Sequence, residues 1–182
     1  MPRMYGKRVM LREYQTGDLS ALREWVNEAQ TTRYLSSNYW CAQSQTDSES
    51  FLNNMMQGSK FAYNFVIADA RDERYLGQLD IFRVNWQLRQ GEIGMVIGLP
   101  ENRGKGYGTE ALKLLQDFAF GTLGLERLEL EVALPNESAH RCYQKVGFVD
   151  EGVRRHAFFC EGQFCDLAMM SMLKSEYEAS RA

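Results

Sequence analysis

Between a strand-like segment and a helix-like one, the chain carries Arg103-Gly104-Lys105-Gly106-Tyr107-Gly108-Thr109, three alternating glycines with two cations. The first turn of a helix leaves main-chain N–H groups unpaired, and the helix dipole adds positive potential there, so such a junction attracts anions. Glycine accepts positive φ and lets backbone approach a ligand closely. Gly104, Gly106 and Gly108 can therefore close amides onto phosphate oxygens, with Arg103, Lys105 and Thr109 beside them. The unit reads as a pyrophosphate cradle. A Walker loop needs G-x-x-x-x-G-K-S/T, and no Lys-Ser or Lys-Thr follows a glycine here; a dinucleotide fingerprint needs G-x-G-x-x-G, which this spacing misses by one residue. Kinase and dehydrogenase readings fall away. A charged glycine-rich surface turn remains as the alternative on composition alone.

The surrounding periodicities predict a mixed α/β (α+β) single domain over residues 1–182. Residues 8–12 alternate as a strand. Asp18 is placed to cap a helix that buries Leu19, Leu22, Trp25 and Val26. Residues 34–40 form an aromatic loop or irregular helix. A second helix, over 47–57, ends at Gly58. Strands over 61–67, 75–84 and 91–99, joined by short turns, predict an antiparallel meander. A helix over 107–120 follows, then a strand through Leu128, Leu130 and Val132. A helix from Asn136 to Lys145 stops at Gly147, and strands over 148–158 and 163–173 close the chain. The central sheet is expected to be mostly antiparallel and flanked by helices.

Bulk properties exclude several classes. A chain of 182 residues with 45% hydrophobic and 25% charged content suits one soluble domain that needs no staples. A net charge of -3 argues against a general nucleic-acid binder, which would normally show a basic face. Apolar runs are too short for a bilayer, and no secretory signal opens the chain, so no membrane role is expected. The cysteines, Cys41, Cys142, Cys160 and Cys165, are expected as free thiols in a reducing compartment, the cytoplasm. Cys160 and Cys165 with His140 and His156 lack zinc spacing, so no metal is expected.

The cradle fits R/Q-x-x-G-x-G/A, and downstream Asn136, Ala139, Tyr143, Lys145, Gly147 and Phe148 fit N-x-x-A-x-x-x-Y-x-K-x-G-F in the right order. Over residues 91–150 the chain thus resembles the GNAT superfamily of acyl-CoA-dependent N-acetyltransferases. Leu11-Arg12, Asp18-Leu19 and Gly91-Glu92-Ile93-Gly94 resemble its ribosomal-protein N-terminal and polyamine branch. The resemblance implies acetyl-CoA as cosubstrate, with its pyrophosphate held by Arg103, Gly104, Lys105, Gly106, Gly108 and Thr109. It further implies that the strand through Val96, Ile97 and Leu99 splays from the strand after Glu131 to Leu134. The pantetheine arm would lie between them and touch Asn136.

Acetyl transfer to an amine needs a deprotonated nitrogen, a donor for the tetrahedral oxyanion and a proton for the departing thiolate. Tyr143, a phenol that stays protonated at neutral pH, is the expected acid. An amide near Val96 or Ile97 is the expected oxyanion donor. Glu92 resembles the position at which many relatives carry a glutamate that acts through water. His140 and His156 match no motif, and Cys142 has no histidine partner for an acyl-cysteine route. The acceptor would bind between the first helices and the last hairpin, near Tyr34, Tyr39, Trp40, Trp86 and Phe159. Protein N-termini, polyamines, aminoglycosides and amino acids all stay open, as does monomer or homodimer. The competing function is a silent acyl-CoA-binding sensor.

Overall fold

Val9 and Leu11 point into one apolar cluster while Met10 points into another, so this strand is covered on both faces. The same division runs across the sheet and fixes where the helices lie. The computed structural model describes residues 3–36, 39–59 and 61–181. Residues 37 and 38 of the predicted aromatic loop lie outside them.

The strands are β1 (Met4–Tyr5), β2 (Val9–Arg12), β3 (Tyr63–Asp69), β4 (Tyr75–Asn85), β5 (Gln90–Ile97), β6 (Arg127–Ala133), β7 (Val149–Cys160) and β8 (Gln163–Leu173). The helices are α1 (Leu19–Val26), α2 (Ala29–Thr32), α3 (Gln45–Gln57), α4 (Tyr107–Gln116), α5 (Glu137–Lys145) and α6 (Lys174–Ala179). One sheet runs in the order β1-β2-β3-β4-β5-β6-β8-β7. Leu112 and Leu115 of α4 and Tyr143 of α5 pack on the Val9/Leu11 face, called face A here. Leu22 and Trp25 of α1 and Leu52 of α3 pack on the Met10 face, face B.

Every neighbouring pair is antiparallel except β5 and β6. These two run parallel and touch only at Gln90↔Arg127, Gly91↔Leu128 and Glu92↔Glu129. Beyond those pairs β5 continues beside β4 to Ile97, and β6 continues beside β8 to Ala133. The sheet splits between them. The divergence begins at Ile93 and Leu130, earlier than the Glu131 to Leu134 region expected from sequence.

Three local expectations are corrected. Asp18 occupies the cap position of α1 but makes no side-chain cap. Its carboxylate instead receives both arms of the Arg12 guanidinium, at 2.7 and 2.9 Å, in a buried fork. The predicted helix over 107–120 is α-helical only to Gln116 and widens to a π turn over Asp117–Thr122. That widening brings both Phe118 and Phe120 into the core, Phe118 against Tyr63 and Phe65 and Phe120 against Tyr177. The strand expected from residue 61 starts at Tyr63, and Phe61 is exposed.

Candidate active site

The glycine loop is built as its sequence requires. Gly104 and Gly106 have φ of 70° and 81°, the left-handed region, and Gly106 precedes the first residue of α4. Gly108 lies so close to β5 that an added Cβ would stand 2.9 Å from Met95 Cε. The first hydrogen bond into the helix is Glu110 N–H to Gly106 O. Among the described residues, no group accepts from the N–H groups of residues 104–109. Arg8 braces the loop by donating to Lys105 O at 2.8 Å and to Glu110 Oε2 at 3.0 Å.

A cleft of about 780 Å³ runs from this loop through the split. Val96, Ile97, Arg103, Gly104, Gly106, Gly108, Thr109, Asn136 and Tyr143 line it, as does Tyr34. Leu99 turns instead to the face B core, and Lys105 is exposed beside the loop. The Arg103 guanidinium faces protein oxygens: Gly98 O at 3.1 Å, Ile97 O at 3.4 Å, Gln30 O at 3.5 Å and the Thr31 hydroxyl. It ties α2 to the end of β5. Asn136 caps α5, its Oδ1 accepting from Ala139 N–H at 3.4 Å.

Tyr143 enters the cleft from face A. Its ring packs edge-on against Phe148, and its hydroxyl bonds to no described residue. Burial, with Cys142 adding to it, pushes its pKa up, so the phenol stays protonated at neutral pH. Cys142 Sγ sits 3.4 Å from Thr109 Oγ1, holding α5 to the start of α4.

Face B presents carboxylates around the split. Ile93 and Met95 belong to face A, so Glu92, Gly94 and Val96 point to face B. On β6, Leu128, Leu130 and Val132 take face A, which leaves Glu129 and Glu131 on face B. Asp80 of β4 lies directly across from Gly94. Glu92 pairs with Arg83 at 2.7 Å, Glu129 with Arg127 at 3.0 Å, and Glu131 with Arg154. Burial raises the Glu92 pKa, Arg83 opposes that, and Glu131 and Glu129 add to it. Asp80 has no motif to announce it. Its signal is Gln78 and Asp80 alternating with Leu79 and Ile81 on a strand covered on both faces.

Other expected residues lie elsewhere. His140 pairs with Asp150 at 2.6 Å, and His156 stacks on Phe164. Of the five aromatics expected at the acceptor site, Tyr34 lines the cleft, with its hydroxyl donating to Pro135 O at 3.3 Å. Tyr39 packs on Trp25, Trp40 on Phe159, and Trp86 on Tyr63. Among the described residues no cluster of three His, Cys, Asp or Glu side chains could hold a metal, and no helix is long and apolar enough to cross a membrane.

A sheet parted over an unpaired helix N-terminus, with a phenol at the opening, is the construction of an acyl-CoA-dependent N-acetyltransferase, and acetyl-CoA is the cosubstrate that fits it. The chain belongs to the acetyltransferase (GNAT) family, whose model matches residues 8–149. It is 33% identical to a spermidine N(1)-acetyltransferase of Vibrio cholerae over 62% of this chain and 64% of the relative. It is 32% identical to a putative ribosomal N-acetyltransferase of Bacillus subtilis over 60% of each. The crystal structure of spermidine N-acetyltransferase from Vibrio cholerae in complex with CoA and spermine superposes with a TM-score of 0.83 at 28% identity, covering 95% of this chain and 99% of that one.

Proposed function

We infer that the chain transfers an acetyl group from acetyl-CoA to a primary amine of a polyamine. The observation that carries the acceptor is the set of carboxylates on the face B side of the split, Glu92, Glu129 and Glu131, with Asp80 buried behind them. Such a lip attracts a cation bearing several ammonium groups and disfavours anionic or apolar acceptors. The likeness to spermidine N-acetyltransferases supports the same choice.

The cradle amides of residues 104–109 would bind the cosubstrate's pyrophosphate, and the unpaired edge of β5 would pair with its pantetheine amides. Asn136, Thr109 and Gly108 would line the arm. Bound there, acetyl-CoA supplies the acetyl group as a thioester. Val96 or Ile97 N–H would donate to the developing oxyanion, and Tyr143 would give its proton to the departing sulfur. Glu92, held against Arg83, would draw the acceptor's ammonium to the lip and pass the released proton on through water. Four free cysteines favour the cytoplasm as the site of action.

Thiol release from acetyl-CoA, followed with spermidine, spermine, N-terminal peptides, an aminoglycoside and free amino acids, tests this. Preferential turnover of the polyamines is expected. Turnover confined to peptides would reassign the acceptor, and coenzyme binding with no turnover would make the protein a sensor.

A further inference from the structure

We propose that Asp80, on the strand behind the split, is the direct proton acceptor for the amine. The inference rests on the acetyl-transfer reading above and adds a catalytic residue to it.

Asp80 faces Gly94 in register, and neighbouring antiparallel strands hold such partners about 5 Å apart. Gly94 lines the cleft and has no side chain, so β5 puts no side chain of its own between the cleft and Asp80 at this point. The ring of Phe82 stands over Gly94, its Cε1 3.2 Å from where a Gly94 Cβ would be. An approach from the lip to Asp80 therefore runs over glycine and along the Phe82 ring. An unbranched aliphatic ammonium fits that description, and a branched residue at position 94 would close it.

Partners separate Asp80 from the other three carboxylates. Glu92, Glu129 and Glu131 each already hold an arginine as a cationic partner. Asp80 makes no ion pair among the described residues. A relay of donors turns it instead: Trp25 Nε1–H to Tyr75 OH at 3.1 Å, Tyr75 OH to Gln78 Oε1 at 3.3 Å, and Gln78 Nε2–H to Asp80 Oδ2 at 3.5 Å. The Gln78 bond falls on Oδ2, and the Phe65 backbone N–H also favours the ionised carboxyl. Oδ1 is shut off from bulk solvent and has no hydrogen-bond partner. A buried carboxylate oxygen left bare is costly unless a ligand fills it, and an ammonium N–H fills it.

The groups around Asp80 are Tyr14 from the segment after β2, Tyr39 from the loop before α3, Tyr75 and Gln78 from β4, and the Phe65 backbone of β3. The tyrosines are neutral at physiological pH, because burial raises the pKa of each. None supplies a cation. Burial accordingly pushes the Asp80 pKa up to about 7, where a carboxyl is ionised often enough to accept a proton and basic enough to hold it.

The proton balance closes. Asp80 Oδ1 takes one proton from the ammonium nitrogen, freeing its lone pair. That nitrogen bonds to the acetyl carbonyl carbon, the C–S bond breaks, and sulfur takes a proton from Tyr143. The second proton leaving nitrogen restores Tyr143, and Asp80 passes its own to solvent when product departs. One amide, one thiol and one free proton result. Acid and base thus stand on opposite faces of the sheet, with the split between them.

The test compares the wild type with Asp80→Asn, Asp80→Glu and Glu92→Gln, using spermidine and, separately, a weakly basic arylamine that is already neutral at assay pH. Urea unfolding verifies that each variant is folded. For the wild type, kcat/KM with spermidine should climb with pH through a limb near 7. Asp80→Asn should lose that limb and about 10²–10⁴-fold in kcat with spermidine, while keeping its arylamine rate within a few-fold. Asp80→Glu should recover part of the loss, and Glu92→Gln should keep the limb and raise KM. An Asp80→Asn enzyme with an intact limb, or one equally impaired toward both amines, overturns the assignment. A limb lost only in Glu92→Gln transfers the role to Glu92. A wild type that turns over no amine removes the acetyl-transfer reading and this one together.

Discussion

Arg12 and Asp18 form a two-pronged ion pair under the start of α1, with side chains only 3% and 6% exposed. The spare donors of Arg12 reach Glu13 O at 2.8 Å and Glu73 O at 3.0 Å, and Asp18 Oδ2 also accepts Gln15 N–H. One guanidinium therefore fixes β2, the turn into α1 and the β3–β4 turn. Removing Arg12 alone strands a buried carboxylate, so Arg12→Leu should cost about 3–5 kcal/mol of stability in urea unfolding. The double variant Arg12→Leu/Asp18→Leu should cost clearly less than the two single losses added together. Additive losses would show that the pair is not energetically coupled.

The glycine loop makes a backbone prediction. Gly106 holds φ of 81°, and the nearest atom to an added Cβ is Arg8 Nη2 at 3.2 Å, the end of a flexible chain. Gly106→Ala should thus cost about 1–2 kcal/mol through the left-handed backbone, not through a clash. Relaxing it turns the amides at the start of α4, so acetyl-CoA affinity by calorimetry should drop several-fold or more. Gly17→Ala, at a position with open space and no positive φ, should leave that affinity unchanged. Equal affinities in the two variants would argue that the cradle amides do not hold the pyrophosphate.

What was legible in the sequence was what local rules govern. The glycines at 104, 106 and 108 announce their loop because two of them hold positive φ, which glycine adopts without strain. The meander of β3, β4 and β5 shows because its turns are short and its apolar positions recur. The two-residue β1 was not legible, since it exists only by pairing with Met10 and Leu11. Asp18 looked like a cap because helix starts favour aspartate, and nothing nearby reveals that Arg12 claims it. Asp80 was hidden for the same reason. Its character comes from Gly94 across the ladder and from arginines that serve other carboxylates, and both depend on register between distant segments. Arg103, prominent in its motif, turns its donors to Gly98, Ile97 and Gln30, partners that no motif names.

Asp80 also couples stability to pH. An unfolded chain ionises this carboxyl near 3.8, whereas the folded protein holds the proton to about 7. Between those values the native state binds more protons than the unfolded one, so stability from this group falls as pH rises through the window. Above pH 7 the full penalty of a buried charge is present, at most about 4 kcal/mol for such a shift. Asp80→Asn removes the ionisation and keeps the shape. The variant should therefore be more stable than wild type at about pH 8, and the gap should shrink toward about pH 4. A gap that is constant with pH would mean that Asp80 titrates in the ordinary carboxylate range.

Tyr143 gives the sharpest separation between binding and chemistry. Its ring is packed against Phe148 on face A, and that packing does not involve the hydroxyl. Tyr143→Phe keeps the ring and deletes one oxygen that has no partner among the described residues, so stability should change by less than about 1 kcal/mol. The hydroxyl makes no bond to the cradle residues, so coenzyme affinity should hold. The departing sulfur, however, would leave as an unassisted thiolate, and kcat should fall about 10²–10⁴-fold. With a synthetic thioester whose thiol is strongly acidic, the defect should shrink, because that leaving group needs no proton. A variant as slow on the activated thioester as on acetyl-CoA would place Tyr143 in packing alone.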